Sequence, residues 1–318
     1  EPIGREGRGP EEWLQPDAVH PMPGDSTLLV DLGNGRLAVI GPDLTFARTR
    51  PIALGTPQPG RLGGLQFLLP RAVDAQGRAY FQGRALSMDG GAPPDSVPVL
   101  RTGLGRDAAS ADTVALVKPQ DLEIRTSGGA NERSVSARPR PMSPQDDWAA
   151  GRDGSLALVR SDGYYVQVLH PDGRVSTGPR VAYEPQRVGD AEVDRYTEAA
   201  ANGLGVGVTV ENGRMQMQFS RGGMRGGPQR RSREGFPDVL PPFVPGATWV
   251  APDGRIWVKR YTRVGQPSLF DVFDGEGRRV AEVSFPGEVR IVGFGDGVVY
   301  TATTDDMGLQ WLSRYRVR

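Results

Sequence analysis

The feature that most constrains this chain is a tight turn followed by an apolar strand, written repeatedly. "APDGRIWVKRY" (251–261) has relatives in "DAQGRAYFQGR" (74–84), "GRDGSLALVRS" (151–161), "HPDGRVST" (170–177) and "DGEGRRVAEV" (274–283). Asp-Gly and Gln-Gly supply the positive φ that tight β-turns need, and the apolar residues that follow read as short strands. Gly at 44 and Pro at 28 exceed ordinary usage and are read as turn residues, favouring many short strands over long helices.

The runs fall into groups at 27–50, 70–118, 147–181, 247–285 and 289–318. Each has strand, Gly turn, strand, variable loop and further strand. Four-stranded units repeating every ~40–50 residues mark a β-propeller, in which no single repeat is stable alone. The expected fold is all-β, one propeller domain over 1–318. Six blades are favoured, five are the alternative, and 119–146 or 204–220 are candidate sources of the missing one. "EPIG" (1–4) is a candidate closing strand for the last blade.

The pattern breaks at 184–245. The sequence predicts a helix over about 189–202, with acidic residues in its first turn and Asn202-Gly203 as its stop. A hairpin follows over about 206–220, turning on Asn212-Gly213. The Arg/Gly-rich stretch over about 221–235 has no apolar period and reads as a mobile loop.

"IGREGRGPEEWLQPDAV" (3–19) followed by "LLVDLGNGRLAVIGPD" resembles the NHL-type repeat through Gly4, Gly7, Gly9, Pro10, Trp13, Pro16, Asp31, Asn34 and Arg36. The C-terminal third is similar to six-bladed propellers of bacterial genomes, many of them exported and without an assigned activity. The resemblance implies a mature protein acting in the extracellular space or periplasm. It also raises an axial calcium of the lactonase type, for which Asp17, Asn34, Asp74 and Asp147 are the candidate ligands. No contiguous calcium-loop motif is present.

Composition narrows the chemistry. Without cysteine there is no disulfide, thiolate nucleophile or iron–sulfur cluster. Two histidines, His20 and His170, cannot make a three-His metal site, and a serine triad would need one of them beside a serine, with no G-x-S-x-G elbow in the chain. Lys+Arg and Asp+Glu both number 38, so no global field draws nucleic acid or anionic lipid. The "RGGMRGGPQRRSR" run (221–233) is basic, but it lacks the aromatic platform of an RNA reader. No apolar run reaches membrane-spanning length.

Asp31, Asn34 and Arg36 read either as a structural turn or as a ligand face. Arg160, Lys259 and Arg260 end strands at matching places, with Trp249 and Trp257 nearby. This set suits a small anionic ligand or a peptide terminus, or else consists of solvated turn charges beside core aromatics. The expected function is a non-catalytic binding or scaffold propeller, without a cofactor, that holds a protein partner or small anionic ligand. The alternatives are a calcium hydrolase or lactonase, and a structural subunit with an apolar patch at Met215, Met217, Phe219 and Phe236.

Overall fold

The structure is a computed structural model and describes residues 3–54, 66–83, 93–104, 111–127, 134–201, 204–211, 214–221, 233–305 and 307–317. The fold is a β-propeller arrangement of antiparallel blades, with one helix among the described residues. Five blades are present among the described residues, where the repeat spacing favours six. The first contains Pro16–Pro21, Thr27–Asp31, Arg36–Ile40 and Phe46–Pro51. The second contains Ala72–Val73, Arg78–Gln82, Val97–Gly103 and Asp112–Val117. The third contains Asp147–Ala150, Leu156–Arg160, Tyr165–Leu169 and Val175–Thr177, and the fourth Phe243–Val250, Ile256–Arg260, Ser268–Phe273 and Arg279–Phe285. The fifth has three strands, Arg290–Gly295, Val298–Thr304 and Gln310–Arg316.

The two segments considered as sources of a sixth blade form separate hairpins: Leu122–Ser127 pairs with Ser134–Pro139, and Leu204–Glu211 with Arg214–Arg221. By packing, the chain divides into two compact units, Glu1–Arg140 with Asp194–Glu234, and Pro141–Val193 with Gly235–Arg318.

The recurrent turn has one hydrogen-bond pattern. In 41–45, 74–78, 151–155, 170–174, 251–255, 274–278 and 305–309, the first residue's N–H donates to the fifth residue's carbonyl, and the fourth residue's N–H donates back to the first residue's carbonyl. The fourth residue has positive φ in all of them. It is glycine in six and Leu44, at φ 64, in the other. Glycine adopts that conformation without strain, whereas a leucine Cβ crowds the following carbonyl.

The interior of the fourth blade is apolar on both faces because it lies between two other blades. In the fourth blade, Ile256, Val258 and Phe273 pack toward the third around Tyr164 and Phe243. Trp257, Phe270 and Val272 pack toward the fifth around Val289, Ile291 and Val299. In the other unit, Leu28, Val30 and Leu37 pack against Val73, Ala79 and Phe81 of the second blade. The opposite face of the first blade, Leu29, Ala38 and Ile40, is covered by Trp13 and Phe46. Trp13 comes from the N-terminal segment. Arg5–Glu6 there pairs in parallel with Glu12–Trp13, and the Trp13 indole donates to the Ile3 carbonyl at 3.1 Å. The segment considered as a closing strand is thus folded from Ile3 onward onto the first blade; Glu1 and Pro2 lie outside the described residues.

Polar clasps reinforce the join between the third and fourth blades. The Tyr164 hydroxyl donates a hydrogen bond to buried Asp271. Thr248 Oγ1 donates to buried Asp147 at 2.6 Å, and Ser176 Oγ to Glu276 at 2.8 Å. Gly178 and Gly277 meet backbone to backbone, and a Cβ on Gly178 would lie 1.7 Å from the Gly277 carbonyl oxygen.

The insertion is tied at its base. Val188 N–H donates to Asp238 O and Leu240 N–H to Gln186 O, with Arg187 bridging Val239. The helix, α1, spans Asp190–Ala201. Glu192 in its first turn caps it by accepting from Gly189 N–H at 2.9 Å, and also takes Val264 N–H at 3.0 Å. The remainder of the Arg/Gly-rich run, 222–232, lies outside the described residues, as do the side chains of Met215, Met217 and Phe219.

Two stability changes follow. Leu44→Gly removes strain at an exposed turn and raises stability by about 0.5–1 kcal/mol after the extra backbone entropy of glycine, read as a higher denaturant midpoint at unchanged slope. Tyr164→Phe strips a buried carboxylate of a donor and lowers stability by about 1–3 kcal/mol in the same assay.

Candidate functional site

The residues singled out in the first blade form one device. The Asp31 carboxylate is buried and accepts from Leu14 and Gln15 N–H at 3.1 Å each, Asn34 Nδ2 at 2.7 Å and Arg36 Nε at 3.3 Å. Asn34 also donates to Gly7 O at 3.0 Å, and Arg36 to the carbonyls of Gly9 and Glu12. Together they pin the glycine-rich N-terminal segment onto the blade. The segment closes on itself through Glu12, whose carboxylate accepts from Gly9 N–H and Arg5, each at 2.6 Å. Gly33 lies under this arch, where a Cβ would come within 2.9 Å of Gln15 N.

The strand-end cations have intramolecular partners. Arg160 donates to Asp146 and Gln167, both at 2.8 Å. Lys259 reaches Val289 O at 2.9 Å and Glu288 at 3.7 Å. Arg260 pairs with Glu282 at 3.2 Å and lies 3.9 Å from Asp271, which Arg279 also holds at 3.0 Å. The cluster of Arg260, Arg279, Asp271 and Glu282 is formally neutral, and burial, with Asp271 adding to it, pushes the Tyr164 phenol far up, keeping it a donor. Trp257 is buried, and Trp249 and Trp257 face each other across the first two strands of the fourth blade, packed with Phe270. They belong to the layer between the fourth and fifth blades.

The histidines have different settings. Burial holds the His20 imidazole below the usual histidine value, against Pro70 and Asp17, which act the other way, and its Nε2 is buried without a hydrogen-bond partner among the described residues. His170 does stand beside a serine, with Nε2 2.9 Å from Ser176 Oγ. Ser176, however, gives its proton to Glu276 and accepts from Arg174 at 2.6 Å, while Arg174 also approaches His170 Nδ1 at 3.3 Å. This network assigns Nε2 as the proton carrier and His170 as a donor to the serine. A base that would activate Ser176 needs the opposite arrangement.

Three of the residues named for calcium are engaged by donors or acceptors of the chain itself. Asp74 is filled by Gln76 N–H, Arg78 N–H and Nε, and the Tyr80 hydroxyl. Asp147 takes Thr248, and Asn34 serves Asp31. Among the described residues no group of three or more His, Asp or Glu is placed to hold a metal ion.

A concave site does occur between the fourth and fifth blades. The turns 251–255 and 295–297, with Val317, enclose a cleft of about 250 Å³. Trp257, Phe294, Val298 and Val317 line it, and Asp253, Arg255 and Asp296 supply its charges. Arg255 grips Asp253 at 2.6–2.7 Å. Burial alone would raise the Asp253 carboxyl, but the Arg255 side chain and N–H outweigh it and hold the group below the usual aspartate value. Asp296 is exposed and, among the described residues, has no partner. Sequence reasoning placed Trp257 but missed Phe294, Asp296 and Val298. The available signal was "GFGDGVV" (293–299), a hairpin whose turn carries an acidic residue between glycines.

Acid should loosen the chain. Backbone N–H and Arg5 hold Glu12 below the usual glutamate value, Ser176 and Arg174 do so for Glu276, and Trp311 and Leu309 N–H hold Asp305 low. Each folded value lies below the unfolded one, so protonation favours the unfolded state. Their contribution is complete above about pH 5 and declines as pH falls through the carboxylate range, read as a dropping Tm in a pH series.

No family model matches this sequence, and no curated protein matches it. Among the solved structures similar to it are these three. A member of the DUF4221 family from Bacteroides vulgatus is 9% identical, with 99% of this chain and 82% of that one covered, at a TM-score of 0.48. Virginiamycin B lyase from Staphylococcus aureus is 9% identical, covering 96% and 85%, at 0.37. A calcium-binding protein, regucalcin, from Agrobacterium tumefaciens is 10% identical, covering 98% and 94%, at 0.28. At these values none supports a conclusion about activity.

Proposed function

We propose that this chain is a non-catalytic binding propeller, working outside the cytoplasm, that holds a protein partner at the cleft between its fourth and fifth blades. The supporting observation is the contrast between two kinds of carboxylate. Asp31, Asp74, Asp147 and Asp271 are buried and committed to donors of the chain itself. Asp296 is exposed, without a partner among the described residues, on the rim of an apolar-lined cleft. A buried, saturated carboxylate stabilises the fold, whereas an exposed one beside apolar surface can receive a cation. The volume falls below the ~300–1,000 Å³ of drug-sized sites and suits one or two side chains of a protein segment. The segment carries Lys or Arg to meet Asp296, next to an apolar side chain that covers Phe294 and Val298. Arg160, Lys259 and Arg260 are engaged by Asp146, Glu288 and Glu282, so an anionic ligand would have to displace carboxylates to reach them.

A peptide-display library panned against the whole chain tests this reading. Enriched peptides should combine a cation with an adjacent apolar residue and perturb tryptophan fluorescence. Asp296→Lys should weaken them about tenfold. Peptides that bind the Asp296→Lys protein equally well would overturn the assignment.

A further inference from the structure

The outer strand of the fifth blade differs from the outer strands of the other four. In the first, second and fourth blades, the ladder that carries the outer strand has a register shift, at Val39/Ile40, Val99/Leu100 and Val272/Phe273. In the third blade the outer strand, Val175–Thr177, has 3 residues. Bulges and short length are the ordinary means of keeping a sheet edge from pairing with another chain. Gln310–Arg316 has neither. It has 7 residues, pairs with Val298–Thr304 without a register shift, and belongs to the blade that has three strands among the described residues where the others have four. No further strand pairs with it among the described residues.

Its surroundings combine exposed apolar side chains with two arginines, and Asp305 holds the Trp311 indole N–H at 2.8 Å. Met307 is 80% exposed, Leu309 52%, Trp311 59% and Leu312 71%. The strand contains no carboxylate, and its charges are Arg314 and Arg316. A partner strand must therefore pair the full edge, cover apolar side chains and keep cations away from these two arginines.

We propose that this edge pairs antiparallel with the same strand of a second copy, about a two-fold axis midway between the two copies of Ser313. A two-fold axis normal to the sheet keeps every side chain on its own face, so one residue must face its own copy across the axis. Ser313 is the midpoint of the strand, and this centre pairs all of it. Trp311 then lies opposite Tyr315 of the second copy, an aromatic pair, while Leu312 lies opposite Arg314 and Gln310 opposite Arg316. Centres on Arg314 or Tyr315 would set arginine against arginine. The result is one continuous sheet through two fifth blades, an isologous contact that closes on itself. Strand pairing alone buries less than the roughly 1,200 Å² of a stable interface, so the dimer is weak and concentration-dependent.

Sedimentation velocity of the whole chain from about 1 to 200 µM should show monomer passing to dimer, as expected for a contact of this size. Two substitutions at the same exposed position separate this register from general stickiness. Leu312→Lys sets a cation opposite Arg314 twice and should leave only monomer. Leu312→Glu sets a carboxylate there twice and should keep or tighten the dimer, although it removes the same apolar side chain. Circular dichroism confirms that both fold. A wild-type chain monomeric throughout the range, including one that pairs only with a strand of different sequence, overturns the proposal. So does any result in which the two variants behave alike. None of these outcomes bears on peptide binding at Asp296.

Discussion

A strand that is apolar on both faces can be stable only when something covers each face. This requirement organises what the structure describes. The inner strands of the fourth blade bury Ile256 and Val258 on one side and Trp257 on the other, and neighbouring blades supply both covers. The first blade meets the same requirement differently, through a folded N-terminal segment whose Trp13 lies on Leu29, Ala38 and Ile40. Asp31, Asn34 and Arg36 hold that cover in place. Their geometry is explained by packing, since each polar contact they make stitches an arch that shields an apolar face.

Buried acids recur at these joins because aspartate on a strand can gather donors from two segments at once. Asp271 accepts from Tyr164 across the join and from Arg279 within its own blade. Asp147 does the same work with Thr248 on the inner strands. Removing either partner leaves an isolated buried group, which costs more than the bond itself contributes. Such pairs fix which face meets which neighbour, a choice that interchangeable aliphatic side chains leave open.

The blade plan was legible because its signals are local. Asp-Gly turns set strand ends, and alternation set the strands, so the groups at 147–181 and 247–285 match the third and fourth blades closely. The helix was legible from its acidic start, and Asp190–Ala201 falls within the expected span. What could not be read was pairing across distance. The sequence placed Arg160, Lys259 and Arg260 at equivalent strand ends but gave no sign that Asp146, Glu288 and Glu282 would reach them. The serine beside His170 was equally hidden, since Ser176 arrives on the next strand. The cleft escaped for the same reason: its two walls, at 251–255 and 295–297, are about forty residues apart and each is an unremarkable turn.

The Tyr164–Asp271 clasp has a consequence in time. Its partners are 107 residues apart, and the whole insertion is made between them. At about 5–20 residues per second, a ribosome takes roughly 5–20 s to deliver Asp271 after Tyr164. Through that interval the Tyr164 phenol has no Asp271 to meet, and the apolar face around it is covered only as Phe243, Ile256, Val258 and Phe273 arrive. A chain built this way has high contact order at its best-secured join, and the period in which it is open to misassembly is set by the length of the insertion.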